Sequence, residues 1–337
     1  MAVLAYPAMP RPRILIVSPA SARDNNGNWQ SASRWARFLR PACRVEIASG
    51  WREGDAAPDL LIALHARRSA PALAAFRAAH PQRPTLLVLT GTDVYRDIDH
   101  DAAARASLEL AQAIVVLQTD AMTRLPAGVR AKASVIHQSA PPLAPYAGPA
   151  RQVREICMIG HLRPEKDPLT FMRAARLVDD PGLLLTHIGG VLDPALGQAA
   201  GDAAHDNPRY RWLGALPRAR TRQILKRSHA MAITSLMEGG ANVIIEAVTC
   251  GVPVLASDIG GNVGMLGRDY AGYFAPGDAA GLARLAERSV HDPDFHALLK
   301  RQCAARAPLF APSAEQALLR DMVDNLLRQT TSPEKSP

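Results

Sequence analysis

Short apolar runs alternate with longer amphipathic stretches along most of the chain. Apolar runs bounded by glycine, proline or polar clusters read as strands, and apolar positions three and four apart read as helices. On that basis strands are expected at 14–18, 44–48, 60–64, 85–89, 113–117 and 134–137. SAPPLAPYAGPAR at 139–151 follows and reads as a linker. Strands resume at 155–159, 183–188, 210–213, 229–234 and 253–256. Between the first two strands a helix carries an inner stripe of Ala32, Trp35, Ala36 and Leu39, with Arg34 and Arg37 off it. Strands alternating with helices predict parallel sheets covered by helices on both faces. The fold class expected is α/β, with two Rossmann-like domains whose parallel sheets face a central cleft. The expected domains are 1–145 and 150–312. A helix at 313–330 is placed to pack back on the first, and the tail TTSPEKSP is expected to fray.

One stretch breaks the pattern. In SLMEGGANVIIEAVTCGVPVLASDIGGN, Glu238 closes a strand-like run, two glycines follow, and Asn242 opens a short helix. That helix is apolar nearly all round (Val243, Ile244, Ile245, Ala247, Val248), so it is buried, and Glu246 is buried with it. A lone buried carboxylate is costly. Glu246 is therefore either half of a buried ion pair or a ligand contact. Strand, glycine turn and helix N-terminus also suit a phosphate, because free amides face it; the amides of Gly240, Ala241, Asn242 and Val243 are the candidates.

Composition narrows the partners. The 337 residues are 48% hydrophobic and 21% charged, which excludes a disordered chain. A net charge of +8 suits an anionic substrate. Nucleic acid is not expected, because the basic residues are dispersed and aromatics are only 5%. Cys43, Cys157, Cys250 and Cys303 form no CxxC or Cys/His cluster and read as reduced, buried thiols. MAVLAYPAMPRPR reads as a short disordered lead rather than a signal peptide, and no run is long enough to span a membrane, so a cytoplasmic location is expected.

In open parallel sheets, ligands bind beyond the carboxyl ends of the strands, so polar clusters that follow strands are the candidate sites. GHLRPEKDP at 160–168 follows the strand at 155–159. Asp167 and Pro168 read as N-cap and first helical residue, which places Arg163 and Lys166 where they could clamp phosphates. The alternative is a solvated turn. In the other half, SPASARDNNGNWQ at 18–30 reads as a long polar loop containing Gly27, Asn28 and Gln30. LHARRSAP at 64–71 sets His65, Arg67 and Arg68 beside a Ser-capped helix start, an anion pocket unless the arginines are simply exposed. TGTDVYRD at 90–97 offers Thr90 and Asp93; Asp93 binds a hydroxyl, orients His65 or makes an Asx turn. Asp97 and Asp99 resemble a metal-binding DxD, but acids favour the start of the helix expected at 102–111, and no metal is expected.

Glu238, Glu246, GVPVLASDIGG and GHLRPEKD together resemble the retaining GT-B glycosyltransferases with an E-x7-E motif, family 4. The resemblance implies a nucleotide-sugar donor held by the second domain. Lys166 would meet the donor phosphates, Glu246 the nucleotide ribose and Glu238 the donor sugar. His161 stands where that family has arginine, with Arg163 nearby, and Asn262-Val263-Gly264 stands where it carries an acid. The segments SPASARDNNGNWQSASRWARFLR, LLIALHARRSA and LVLTGTDVYRDI resemble a narrower group, the selenosugar synthases of selenoneine biosynthesis, which join selenophosphate to the sugar of a UDP-sugar. That implies UDP-GlcNAc or UDP-glucose and selenophosphate as substrates, with no cofactor. The acceptor would meet Gly27, Asn28, Gln30, Arg67, Arg68 and Thr90, and His65 or Asp93 would serve as any base. The alternatives are a GT-B enzyme with a hydroxyl acceptor and a non-catalytic UDP-sugar-binding protein.

Overall fold

The computed structural model describes residues 11–21, 27–148 and 152–331. Residues 1–10, 22–26, 149–151 and 332–337, which take in parts of the expected lead, polar loop, linker and tail, lie outside the described residues. The chain divides into two compact units, each built on one parallel sheet.

The first sheet contains β1 (Arg13–Val17), β2 (Arg44–Ala48), β3 (Leu60–Leu64), β4 (Thr85–Leu89), β5 (Ala113–Val116) and β6 (Ala133–Val135), in the order β2-β1-β3-β4-β5-β6. β3 and β4 are buried along their whole length, as continuous apolar runs in the middle of a parallel sheet should be, whereas edge strand β2 is only partly covered. The second sheet contains β7 (Arg154–Ile159), β8 (Leu183–Ile188), β9 (Tyr210–Trp212), β10 (Ala230–Ile233), β11 (Val254–Ser257) and β12 (Tyr273–Phe274), in the order β12-β11-β10-β7-β8-β9. The expectation of two parallel sheets is borne out. β12 was missed: two residues between glycine- and proline-rich turns leave no periodic signal.

Each order reverses once near its middle, between β1 and β3 and between β7 and β10. Adjacent loops leave in opposite directions there and open a crevice at the carboxyl ends of those strands. The polar clusters at 64–71 and 160–168 follow β3 and β7 and so emerge at these two points.

Among the described residues, the first unit lies within 1–117, 125–136 and 316–337, and the second within 118–124 and 137–315. Residues 137–140 belong to the second because they pack there. The His137 ring lies 5.9 Å from Phe310, the Ala140 amide donates to the Phe310 carbonyl, and Ser139 Oγ donates to the buried Glu315 at 2.5 Å. From Gln316 on, the helix Pro312–Thr331 puts Leu319, Val323 and Leu326 into the core formed by Ile14, Ile16, Trp35 and Ile62.

Candidate functional site

In the second unit, β7 ends at Gly160-His161. The neighbouring turn presses so close that a Cβ at Gly189 would lie 1.8 Å from the Gly160 carbonyl oxygen, so only glycine fits there. His161 Nδ1 accepts from the Gly190 amide at 3.1 Å, which puts the ring proton on Nε2. Although its side chain is exposed, desolvation by its neighbours, then the Arg163 charge, hold His161 below the usual histidine range. Arg163 is exposed in extended backbone ahead of the turn Pro164–Lys166. Asp167 caps the helix Pro168–Leu177 through the Thr170 amide, from left-handed backbone (φ 41°). The continuation of β10 fixes this turn: Thr234 Oγ1 donates to the carbonyls of Lys166 (2.8 Å) and Asp167 (2.9 Å), and the Leu236 amide donates to Glu165.

Lys166 and Glu238, both mostly buried, meet in an ion pair, and Ser235 Oγ donates to the same carboxylate oxygen at 2.6 Å. A Cβ at Gly261 would lie 2.0 Å from the Glu238 carbonyl, so the double glycine packs on the Glu238 backbone. The helix Asn242–Thr249 starts after Ala241 with no side-chain cap, which leaves its first amides for a ligand. Glu246 on that helix is 8% exposed, and one of its oxygens accepts from Arg218 Nε (3.0 Å) and Nη2 (2.7 Å). Glu246 thus makes a buried ion pair through one carboxylate oxygen. Its partner Arg218, at the start of the helix Arg218–Arg227, had not been singled out.

Asn262 is fully buried and donates to the Ser257 carbonyl and hydroxyl. Gly264 has a separate cause: a Cβ there would lie 1.8 Å from Gln118 Oε1. The space an acid side chain would need is taken by Gln118, in the 118–124 stretch of the second unit.

In the first unit, β3 runs into His65, a non-glycine residue at φ 74° and buried. Strain of this kind persists only where surrounding contacts impose it. Here Nε2 lies 3.0 Å from Thr92 Oγ1, and Nδ1 is 3.4 Å from the Arg68 amide. The carboxylates of Asp93 and Asp97 stand 3.9 and 3.8 Å from Nδ1 and Nε2. Burial outweighs them, and the ring's pKa falls below its ordinary value. Asp93 is fully buried and accepts from the amides of Ala66, Thr90, Gly91 and Val94, so it ties the loops after β3 and β4 together. Four amide donors leave it to hold backbone. Asp97, read as a helix-start acid, is also buried and takes hydrogen bonds from Arg67 (2.8 Å) and Arg96 (3.2 Å). Burial alone would raise its pKa, but the two arginines outweigh burial and lower it. Arg68 is exposed.

Three local expectations change. Gly27, Asn28 and Gln30 form the first turn of the helix Gly27–Leu39 rather than a loop, with Ser31 Oγ donating to the Gly27 carbonyl. Arg34 is buried beside the stripe, reaching back to the Gln30 carbonyl. Ser69 does not cap the helix Ala70–Ala79 through its side chain, which donates to the Leu64 carbonyl instead.

Residues 148–307 match the family described as glycosyl transferases group 1. Glycosyltransferase 1 domain-containing protein 1 of Xenopus tropicalis is 29% identical over 160 residues, 46% of this chain and 44% of that protein. D-inositol 3-phosphate glycosyltransferase of Streptosporangium roseum is 27% identical over 181 residues, 50% of this chain and 41% of that protein. The chain thus spans less than half the length of these curated relatives. Among solved structures, Anabaena Alr3699/HepE in complex with UDP and glucose superposes with a TM-score of 0.74 at 16% identity, over 93% of this chain and 100% of that one. Sucrose-phosphate synthase (tll1590) of Thermosynechococcus elongatus gives 0.76 at 16%, over 94% and 100%. At such identity the likeness shows the fold, which is GT-B. Over residues 148–307 this chain is thus similar to the glycosyl transferases group 1, and its fold is GT-B.

Proposed function

We propose that the chain is a glycosyltransferase that moves the sugar of a UDP-sugar, UDP-GlcNAc or UDP-glucose, onto selenophosphate to give a selenosugar in selenoneine biosynthesis. The observation that carries the donor half is the cluster after β7 and β10: Lys166, an uncapped helix N-terminus and the buried Glu246. Arg163, Lys166 and the helix amides would take the charge of the departing UDP. Glu246 would accept from the ribose hydroxyls. HepE, the fold's neighbour, has been solved with UDP-glucose, which agrees with such a donor.

The acceptor half rests on Arg67, which Asp97 holds in place, and the exposed Arg68 beside His65 in the first unit, guanidinium donors suited to a small, multiply charged anion. A selenium lone pair would form the bond to the anomeric carbon as the carbon–oxygen bond to UDP breaks and UDP keeps the pair. Water would then cleave selenium from phosphorus, releasing phosphate and a selenol. A soft, weakly basic nucleophile has little need of a general base, which suits a site where Asp93 is saturated with amides.

Mass spectrometry of products from each UDP-sugar with selenophosphate, thiophosphate and phosphate tests the reading. Arg67→Ala should spare UDP binding and abolish turnover with selenophosphate; normal turnover would show the acceptor assignment to be wrong. One observation favours a second reading, a hydroxyl acceptor: His65 lies within 4 Å of Asp93 and Asp97 and could take a hydroxyl proton. UDP release stimulated by sugars but not by selenophosphate would select it. UDP binding without consumption of a UDP-sugar would instead mark a non-catalytic binding protein.

A further inference from the structure

The second unit has a cavity of about 240 Å³ at the end of its sheet opposite Lys166 and Glu238. Its walls include residues just before β7, β10 and β11, whereas Lys166 and Glu238 follow the far ends of β7 and β10. The four residues of β10 separate the two ends by roughly 13 Å.

Its lining is cationic. Arg154 comes from the start of β7, Lys226 and Arg227 from the end of the helix Arg218–Arg227, and Lys300 from the helix Pro293–Arg306. None of these four has an ion-pair partner among the described residues. The acid in the wall, Glu155, is already held by Arg211 at 2.6 Å. His229 and His296 line the cavity too, stacked with ring centroids 4.1 Å apart. Each Nε2 faces a carbonyl, of Ser289 (2.8 Å) and of His229 (3.2 Å) respectively. Cations gathered in one concavity without counter-charges repel one another and raise the local anion concentration. A volume of about 240 Å³ suits a small molecule rather than a polymer, and lysine and arginine together suit phosphate oxygens.

We propose that this cavity is a second anion site, which binds a small, multiply charged phosphate group independently of the donor site. The group is a phosphomonoester or diphosphate, carried by a soluble metabolite or by a lipid headgroup.

Calorimetric titration of the full chain with inorganic pyrophosphate tests it. Lys166→Ala weakens binding at the donor turn, so that failure of the donor reading and failure of this one remain distinguishable. In that background a binding step should remain, and adding Arg154→Gln with Lys300→Gln should weaken it by roughly tenfold or more. Titration unchanged by the added pair of substitutions would overturn the proposal, as would the absence of any remaining step. Should that variant not fold, amine acetylation of the wild-type chain decides: pyrophosphate should protect Lys226 and Lys300, and equal labelling with and without it would overturn the site. Sedimentation with phosphatidic acid vesicles but not phosphatidylcholine vesicles, lost in the Arg154→Gln/Lys300→Gln variant, assigns the group to a lipid. Pyrophosphate binding without sedimentation assigns it to a soluble phosphate.

Discussion

Lys166 and Glu238, which follow the carboxyl ends of the adjacent strands β7 and β10, neutralise one another in a mostly buried ion pair. A diphosphate that recruits Lys166 must compete with that carboxylate. Glu238→Gln should therefore bind free UDP about threefold to tenfold more tightly, a gain of ~1 kcal/mol, while transferring sugar more slowly. Titration with UDP checks this. Weaker binding would mean that Glu238 contributes to holding UDP instead of restraining Lys166.

Glu246 and Arg218 make the complementary case. Removing the arginine leaves a buried carboxylate with no counter-charge, but the Arg218 side chain is half exposed, so water tempers the cost. Arg218→Ala should cost about 1–2 kcal/mol in urea unfolding. With Glu246→Gln already present the same change should cost less than half as much. Equal costs in both backgrounds would show that the pair adds nothing to stability.

Gly264 and Gln118 predict a coupled pair of another kind. Gly264→Ala should destabilise by about 2 kcal/mol, because the new methyl group overlaps the Gln118 amide. Gln118→Ala alongside it should recover part of the loss in thermal melts. If the double variant is no more stable than the Gly264→Ala single variant, the overlap is with backbone rather than with that side chain.

Acid should weaken the fold through its histidines. His187 is fully buried, its Nε2 3.0 Å from the Gly160 carbonyl and its Nδ1 3.0 Å from the Tyr210 hydroxyl. Burial pushes its pKa down to about 4, and does the same to His137 and His229. The unfolded chain takes up these protons near pH 6.5, whereas the folded chain resists until about pH 4. The stabilisation is therefore complete above about pH 6.5 and falls steadily as pH drops toward 4, by up to ~3 kcal/mol for His187 alone. Urea midpoints across that window check the slope. In His187→Leu the slope should lessen by about one proton, although the protein starts out less stable.

How much of this was visible in the residues depends on how far each contact reaches. Strands such as LLIAL and TLLVL were legible because a strand buried on both faces is an uninterrupted apolar run. Glu246 was legible as buried because its own helix neighbours are apolar. Arg218 was not, because it arrives from 28 positions away on a helix rich in other arginines. Asp93 could be read as a turn residue, but its bond to the Ala66 amide exists only because β3 and β4 are neighbours. The crowding at Gly264 was hidden for a similar reason, since Gln118 lies 146 residues away, just past β5. Gly27, Asn28 and Gln30 looked like loop because their composition is polar, yet a helix N-terminus favours the same residues.

The helix Pro312–Thr331 also sets an order of events. Leu319, Val323 and Leu326 fill the core around Ile14, Ile16 and Trp35, yet the ribosome makes them only after the whole second sheet. The core around β1 is thus completed only after the second sheet has been made. Until those leucines and that valine emerge, the apolar face they cover has no cover from this helix on the nascent chain.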